Sequence, residues 1–162
     1  TQGGLRSLLG AIDLHRVHLI SPFAHVGALD YDLASRAQRF TKRNLDKLWD
    51  DYDFCAFAMP KSTYEKIGLF DENFKVGGYE DTDYCYRLRK EGLKYGVSGA
   101  AFIHHFGSRT LGDFKLEGDT HVGPNRDYFV QKWKVDPSKE VCTPRRKLLR
   151  AWRNFKLSWD WM

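Results

Sequence analysis

The sequence predicts an α/β fold. Three short apolar or aromatic runs, His18–Pro22, Asp53–Met59 and Tyr95–His105, read as strands. Between them lie segments with helical periodicity and glycine stops. At 162 residues the chain suits one domain and one core, and is short for a doubly wound sheet covered on both faces. A mixed sheet with flanking helices, followed by a basic C-terminal helix, is the expected architecture.

In chain order, Leu5 to Leu14 reads as a short helix. His18-Leu19-Ile20-Ser21-Pro22 reads as a strand that the proline ends. The polar stretch 24–50 is expected to hold a helix between Leu33 and Trp49. Asp53-Phe54-Cys55-Ala56-Phe57-Ala58-Met59, closed by Pro60, suits a buried strand. Ser62 to Gly68 reads as a helix of one to two turns, with Ser62 as N-cap, Glu65 three residues on, and Gly68 as stop. Asp81 to Glu91 is the clearest helix. Tyr84, Cys85 and Leu88 lie on one face, and Gly92 ends it. Tyr95 to His105 reads as a strand. The segment from Gly107 to Pro124 is polar and glycine-bearing. Asn125 to Trp133 reads as a helix with Tyr128, Phe129 and Trp133 on its apolar side.

Composition narrows the function classes. Hydrophobic and aromatic fractions of 42% and 15% exclude a disordered chain. No apolar run approaches the roughly 20 residues that span a bilayer. Thr1-Gln2-Gly3-Gly4 lacks the charged start of a signal peptide and carries no initiator Met, so a processed or excised form is expected. The three cysteines, Cys55, Cys85 and Cys142, are odd in number and widely spaced. Buried reduced thiols and a cytoplasmic location follow, rather than a disulfide framework or zinc site. The net charge of +5 is uneven. Residues 131–162 hold nine Lys/Arg against three acids, while the other 130 residues hold 17 against 18. The basic character belongs to the tail, so nucleic acid is not an expected partner.

Two alternatives stand at Gly77-Gly78-Tyr79-Glu80-Asp81-Thr82-Asp83. Acids in a first helical turn complement the macrodipole and cap orphan N–H groups. The same setting stabilises an ionised carboxylate, which can take a proton from a hydroxyl or hold a divalent cation. The glycine pair lets a ligand approach the backbone. His104 and His105 close a strand, where successive side chains face opposite ways. One of them can face a site and, with carboxylates, suit Mn²⁺, or each can be a strand-end residue bonded to a loop. His15, His18, His25 and His121 show no informative spacing.

Four blocks then carry a family resemblance. Gly68-Leu69-Phe70-Asp71-Glu72-Asn73-Phe74 resembles the G-x-FDE-x-F block of family 2 glycosyltransferases. Glu80-Asp81-Thr82-Asp83 through Arg87 resembles their ED-x-D-x-x-x-R helix. Ala100 to Ser108 resembles the strand and histidine that follow. Asn125, Phe129 and Lys132-Trp133 resemble the N-x-x-x-F-x-x-KW end of the catalytic domain.

The resemblance implies a GT-A fold and inverting, hexosyl-type transfer from a nucleotide-sugar donor to an acceptor hydroxyl on a saccharide or lipid-linked acceptor. It implies that Asp81 is the general base, that Glu80, Asp83 and Gly78 shape the acceptor side, and that His104 ligates a divalent metal, Mn²⁺ or Mg²⁺. Ser108 and Arg109 would approach the diphosphate. Residues 1–135 would form the acceptor-side half of the domain. The family's nucleotide-binding half, which ends in D-x-D, has no counterpart here. Asp30-Tyr31-Asp32 has that spacing but follows the first strand, and is read as chance. A sheet edge covered by the missing half or by another chain is therefore expected.

Residues 136–162 form the basic tail. Within 145–159, Leu148, Trp152, Phe155 and Trp159 share one helical face and cations fill the other. That pattern fits either an anionic membrane surface at the inner face of the membrane or a terminal helix packed on its own domain. Two further functions compete with sugar transfer: a non-catalytic interaction module built on the same blocks, and a metal-dependent hydrolase using Asp81 and His104.

Overall fold

The computed structural model describes residues 3–75, 77–107, 122–141, 147, 148 and 151. The chain divides into two compact units, residues 1–69 with 87–118 and residues 70–86 with 119–162. The elements are α1 (Gly4–His15), β1 (Leu19–Val26), α2 (Leu33–Asn44), β2 (Leu48–Trp49), α3 (Lys61–Ile67), α4 (Glu80–Lys90), β3 (Tyr95–His105), α5 (Val122–Trp133) and α6 (Pro137–Glu140). The boundary between the units falls within α4, after Tyr86.

The first unit holds a three-stranded mixed sheet in the order β1-β3-β2. β1 runs parallel to β3, and β2 runs antiparallel to it. The α1 residues Leu8 and Ala11 pack with Val17, Ile20, Ala100 and Ala101 in one buried cluster. Burying side chains such as Leu8 and Ile20 contributes about 1.5–3 kcal/mol each. A second cluster is aromatic: Phe40 of α2 meets Phe23 and Phe102 with ring centroids 4.6 and 5.2 Å away. α1 ends at Arg16, whose φ is 51°. Arg16 N–H bonds Asp13 O and Val17 N–H bonds Ile12 O, a Schellman closure without glycine. α4 closes the same way at Gly92 (φ 68°), with Gly92 N–H on Arg89 O and Leu93 N–H on Leu88 O.

Several sequence expectations need correction. β1 does not end at Pro22 but continues to Val26. Proline lacks the N–H a ladder needs, and the register breaks there: Pro22 pairs with Ser98, while Phe23 pairs with Phe102. The three extra β3 residues, Gly99 to Ala101, bulge, and the first two amides are bonded outside the β1 ladder. Gly99 N–H bonds Lys47 O, and Ala100 N–H bonds Ser98 Oγ.

The helix expected up to Trp49 stops at Asn44. The buried Asn44 side chain donates back to Phe40 O at 2.8 Å, and Leu48 and Trp49 join the sheet beside β3. The run 53–59 is not a strand. Asp53 Oδ1 accepts from Cys55 N–H at 3.1 Å, a local turn that competes with extension, and the Phe54 and Phe57 rings meet tilted at 4.8 Å. Ala58 reaches β1 through paired backbone bonds with Ile20 of 2.8 and 2.9 Å, and the Asp53 amide donates to Ser21 Oγ of the same strand at 3.4 Å. Among the described residues, that bridge is the ladder contact on the outer edge of β1.

Ser62 does not cap α3. The helix begins at Lys61 behind an extended Pro60 (φ −60°, ψ 147°), because proline sets the approach angle. Gly68 does stop it, at φ 82°. Cys55 is exposed rather than buried, Cys85 is buried, and Cys142 lies outside the described residues.

The second unit is helical among its described residues. Phe74, Tyr84, Cys85, Phe129 and Val141 are its buried apolar side chains. Residues 136–141, assigned to the tail from sequence, begin with a capped turn. Asp136 accepts from Ser138 N–H at 2.8 Å, and Val141 is buried. The amphipathic pattern at 145–159 lies outside the described residues except Lys147, Leu148 and Ala151. Among the described residues, no helix is long and apolar enough to cross a membrane.

Candidate active site

α4 starts in an unusual backbone. Gly77, Gly78 and Tyr79 all have positive φ, at 76°, 99° and 74°. Glycine adopts this region freely, whereas a tyrosine there costs about 1–2 kcal/mol. A Cβ on Gly78 would meet Val122 Cγ2 at an ordinary 3.5 Å. Its glycine therefore answers the backbone angle and not a lack of space.

The loop is held by one side chain. Asn125 of α5, 1% exposed, donates through Nδ2 to Gly78 O (2.8 Å), Lys75 O (3.1 Å) and Gly77 O (3.4 Å). Its Oδ1 accepts from Lys75 N–H at 2.9 Å. The first helical bond follows, from Asp83 N–H to Tyr79 O at 2.8 Å.

The three acids then separate by role. Asp81, half-buried, accepts through Oδ1 from the Thr82 amide (2.6 Å) and hydroxyl (3.2 Å). It thus satisfies one orphan N–H of the first turn. Glu80 is half-buried, and its Oε2 is buried with no hydrogen-bond partner. Asp83 is fully buried and points into its own unit, where Lys132 Nζ and Trp133 Nε1 each donate to its Oδ1 at 2.7 Å.

Lys132 also donates to Asp71 Oδ2 at 2.8 Å, and the Tyr128 hydroxyl reaches the same oxygen at 2.9 Å. Burial pushes the Asp71 carboxyl up, but hydrogen bonds from Lys132, Asn73 and Tyr128 outweigh it and hold the group well below the usual range. Burial pushes Lys132 down, and its bonds to Asp71 and Asp83 carry it above its ordinary value.

His104 lies in the first unit, at the carboxyl end of β3. Its Nδ1 is 2.6 Å from the Tyr31 hydroxyl, and its Nε2 is buried without a partner. His25, its register partner on β1, lies at 6.0 Å between ring centroids. Burial, then the Arg36 guanidinium and His104, hold the His25 imidazole below its ordinary value. The orphaned Nε2 is a nitrogen donor of the type a divalent metal takes. Among the described residues, no three His, Cys, Asp or Glu side chains gather around one point.

The site residues read from sequence are thus distributed. Gly78, Glu80, Asp81 and Asp83 share one unit, and His104 belongs to the other. Ser108 and Arg109 lie outside the described residues. Asp32, from the D-x-D spacing read as chance, caps α2 by accepting from Ser35 N–H at 2.6 Å. A cavity of about 670 Å³ between α1 and α2, lined by Ser7, Ala37, Gln38, Thr41 and Lys42 among others, includes no predicted site residue and no carboxylate or imidazole.

No protein-family model, curated protein or solved structure matches the chain.

Three residues gain a role that sequence reasoning did not assign. Asn125 clamps the glycine loop, while Tyr31 and His25 flank His104. The position of Asn125 at the head of the N-x-x-x-F-x-x-KW block was visible. His25 depends on strand register and Tyr31 on the path of the segment after β1, neither of which local spacing reveals.

Proposed function

We propose that the chain is the acceptor-side part of an inverting, family 2-type glycosyltransferase with Asp81 as general base. One observation supports this above the rest: residues from three separate resemblance blocks bond one another. Asp71 of the first block, Asp83 of the second, and Tyr128, Lys132 and Trp133 of the last form one network. Asn125 of the same last block holds the loop before Asp81. A plain helix cap needs none of this support, whereas a catalytic carboxylate needs its backbone held within a fraction of an ångström.

In this mechanism Asp81 takes the proton of the acceptor hydroxyl as that oxygen attacks the anomeric carbon. Glu80 Oε2, buried without a partner, offers an acceptor to a second hydroxyl of the same sugar. Asp83 does not touch substrate. It anchors α4 from behind through Lys132 and Trp133. A divalent metal, Mn²⁺ or Mg²⁺ held through His104, would supply charge neutralisation at the departing diphosphate.

The test is transfer from UDP-, GDP- or dTDP-sugars with Mn²⁺ to saccharide and lipid-linked acceptors. It is run with the chain alone and with the chain fused behind a strand–helix half carrying D-x-D. Asp81→Asn should lower turnover by about 10²–10⁴-fold with donor binding nearly intact. Turnover retained in that variant removes Asp81 as base. Absence of donor binding in both formats favours the non-catalytic module instead.

A further inference from the structure

We infer that α1 and α2 present a face of the first unit that docks on an anionic lipid bilayer. The inference goes beyond sugar transfer and does not rest on it, because its test needs neither donor nor acceptor. The surface is also separate from residues 145–159, where the sequence alone carries a membrane pattern.

Charge is segregated in this part of the chain. Residues 32–47 hold five Lys/Arg (Arg36, Arg39, Lys42, Arg43, Lys47) against two acids (Asp32, Asp46), a balance of +3. The rest of residues 1–130 hold 12 Lys/Arg against 16 acids, a balance of −4. No acid occurs within α2 itself. Asp32 and Asp46 lie beyond its two ends, and Asp32 is engaged as the N-cap.

Helix geometry gathers the cations. Arg39, Lys42 and Arg43 stand at i, i+3 and i+4, which are neighbours on a helix surface. Ala37, Phe40 and Asn44 are buried and mark the inward side of α2, whereas Arg39, Lys42 and Arg43 are exposed.

Exposed leucines accompany them. Leu45 follows α2 and is 56% exposed, and Leu5 of α1 is 69% exposed. Leu45 and Lys42 line the same cavity as Gly3 and Gly4, the residues before Leu5. Among the described residues of that lining, Lys42 is the charged side chain and none is acidic. A cavity of about 670 Å³ with this lining can take a phosphodiester headgroup.

Cations alone attract any polyanion. Leucines beside cations suit the boundary of a bilayer, where the cation meets a phosphate and the leucine leaves water for the acyl layer. Nucleic acid is held through its phosphates and base edges and offers these leucines no apolar layer. The combination therefore favours a bilayer.

The experiment sediments the full chain with vesicles of phosphatidylcholine and phosphatidylglycerol at about 3:1, and with vesicles of phosphatidylcholine alone. Binding should require the anionic lipid. Each cation near such a surface contributes roughly fivefold in affinity, so Arg39→Gln with Lys42→Gln should weaken binding about 25-fold with residues 145–159 intact. Leu45→Asn should weaken it about tenfold. Lys90→Gln with Lys94→Gln, an equal loss of charge elsewhere in the first unit, should change it by less than about threefold. Equal binding to both kinds of vesicle overturns the surface. So does wild-type binding in the α2 pair, which would leave residues 145–159 alone responsible. Tight binding of duplex DNA, lost in the α2 pair, together with unchanged vesicle binding in Leu45→Asn, assigns the cations to nucleic acid instead. Should the α2 pair fail to fold, the wild-type chain decides: spin-labelled lipid in the mixed vesicles must broaden the amide resonances of Gln38 and Leu45, and broadening confined to residues 145–159 refutes the inference.

Discussion

Replacing Asn125 by alanine removes the clamp on the glycine loop, and its cost can be worked from the contacts. Three of the four hydrogen bonds are short: 2.8 Å to Gly78 O, 3.1 Å to Lys75 O and 2.9 Å from Lys75 N–H. The bond to Gly77 O, at 3.4 Å, adds little. Each good bond contributes about 1 kcal/mol net, so Asn125→Ala should destabilise the unit by about 3 kcal/mol. The loss concentrates where Gly77, Gly78 and Tyr79 hold positive φ, since the strained Tyr79 backbone relaxes once released. A local change of this size raises the opening equilibrium roughly a hundredfold.

Hydrogen exchange at the Lys75 and Asp83 amides reads this directly, because both bonds depend on the clamp. Asn125→Asp separates bonding from volume. It keeps the acceptor for Lys75 N–H but turns an oxygen toward the carbonyls of Lys75 and Gly78, and should cost at least as much as alanine. Exchange within twofold of wild type in Asn125→Ala, or wild-type stability in Asn125→Asp, would refute the clamp.

Other consequences follow from the same contacts. Lys132→Met leaves the buried Asp83 charge without its ammonium partner and should cost about 3–5 kcal/mol in thermal or urea unfolding; a change below 1 kcal/mol would dissolve the proposed network. The lowered Asp71 pKa makes its contribution fully present above the ordinary aspartate value of 3.8 and lost as pH falls below it. Unfolding midpoints should therefore drop from pH 5 to pH 2, and Asp71→Asn should flatten that drop. The raised Lys132 pKa sets the opposite limit, with stability held below its ordinary value of 10.5 and lost as pH rises beyond it. Gly99→Ala would place a Cβ 2.0 Å from Asn44 O, an overlap with backbone that should cost about 3 kcal/mol or more; near-wild-type stability would show that the bulge yields.

The elements readable in advance were those whose signals are local. α1, α3, α4 and α5 appeared within a residue or a few of their expected limits, because apolar spacing and glycine stops act over one or two turns. β3 was found at its expected bounds, since small and aromatic residues continue to the histidines. The failures came where a distant partner outweighed the local signal. Pro22 continues a strand because β3 bulges opposite it. The 53–59 run forms a turn through its own Asp53. Leu48 and Trp49 pair with Val97 and Ser98 instead of extending a helix.

The candidate site divides along the same line. By itself the sequence determined the order of residue types at Gly77 to Asp83 and therefore the start of α4, because glycine freedom and acids in a first turn are properties of the chain within a few bonds. Only the tertiary structure decided what each carboxylate does. Asp83 turned inward because Lys132 and Trp133, some fifty positions later, offered it donors in a buried place. Asn125 could hold the loop only once α5 had brought its amide against the carbonyls of residues 75–78. His25 and His104 likewise met through the β1/β3 register, and Tyr31 joined them through its hydroxyl on His104 Nδ1; both depend on packing across the sheet and are not written in the spacing of three residues.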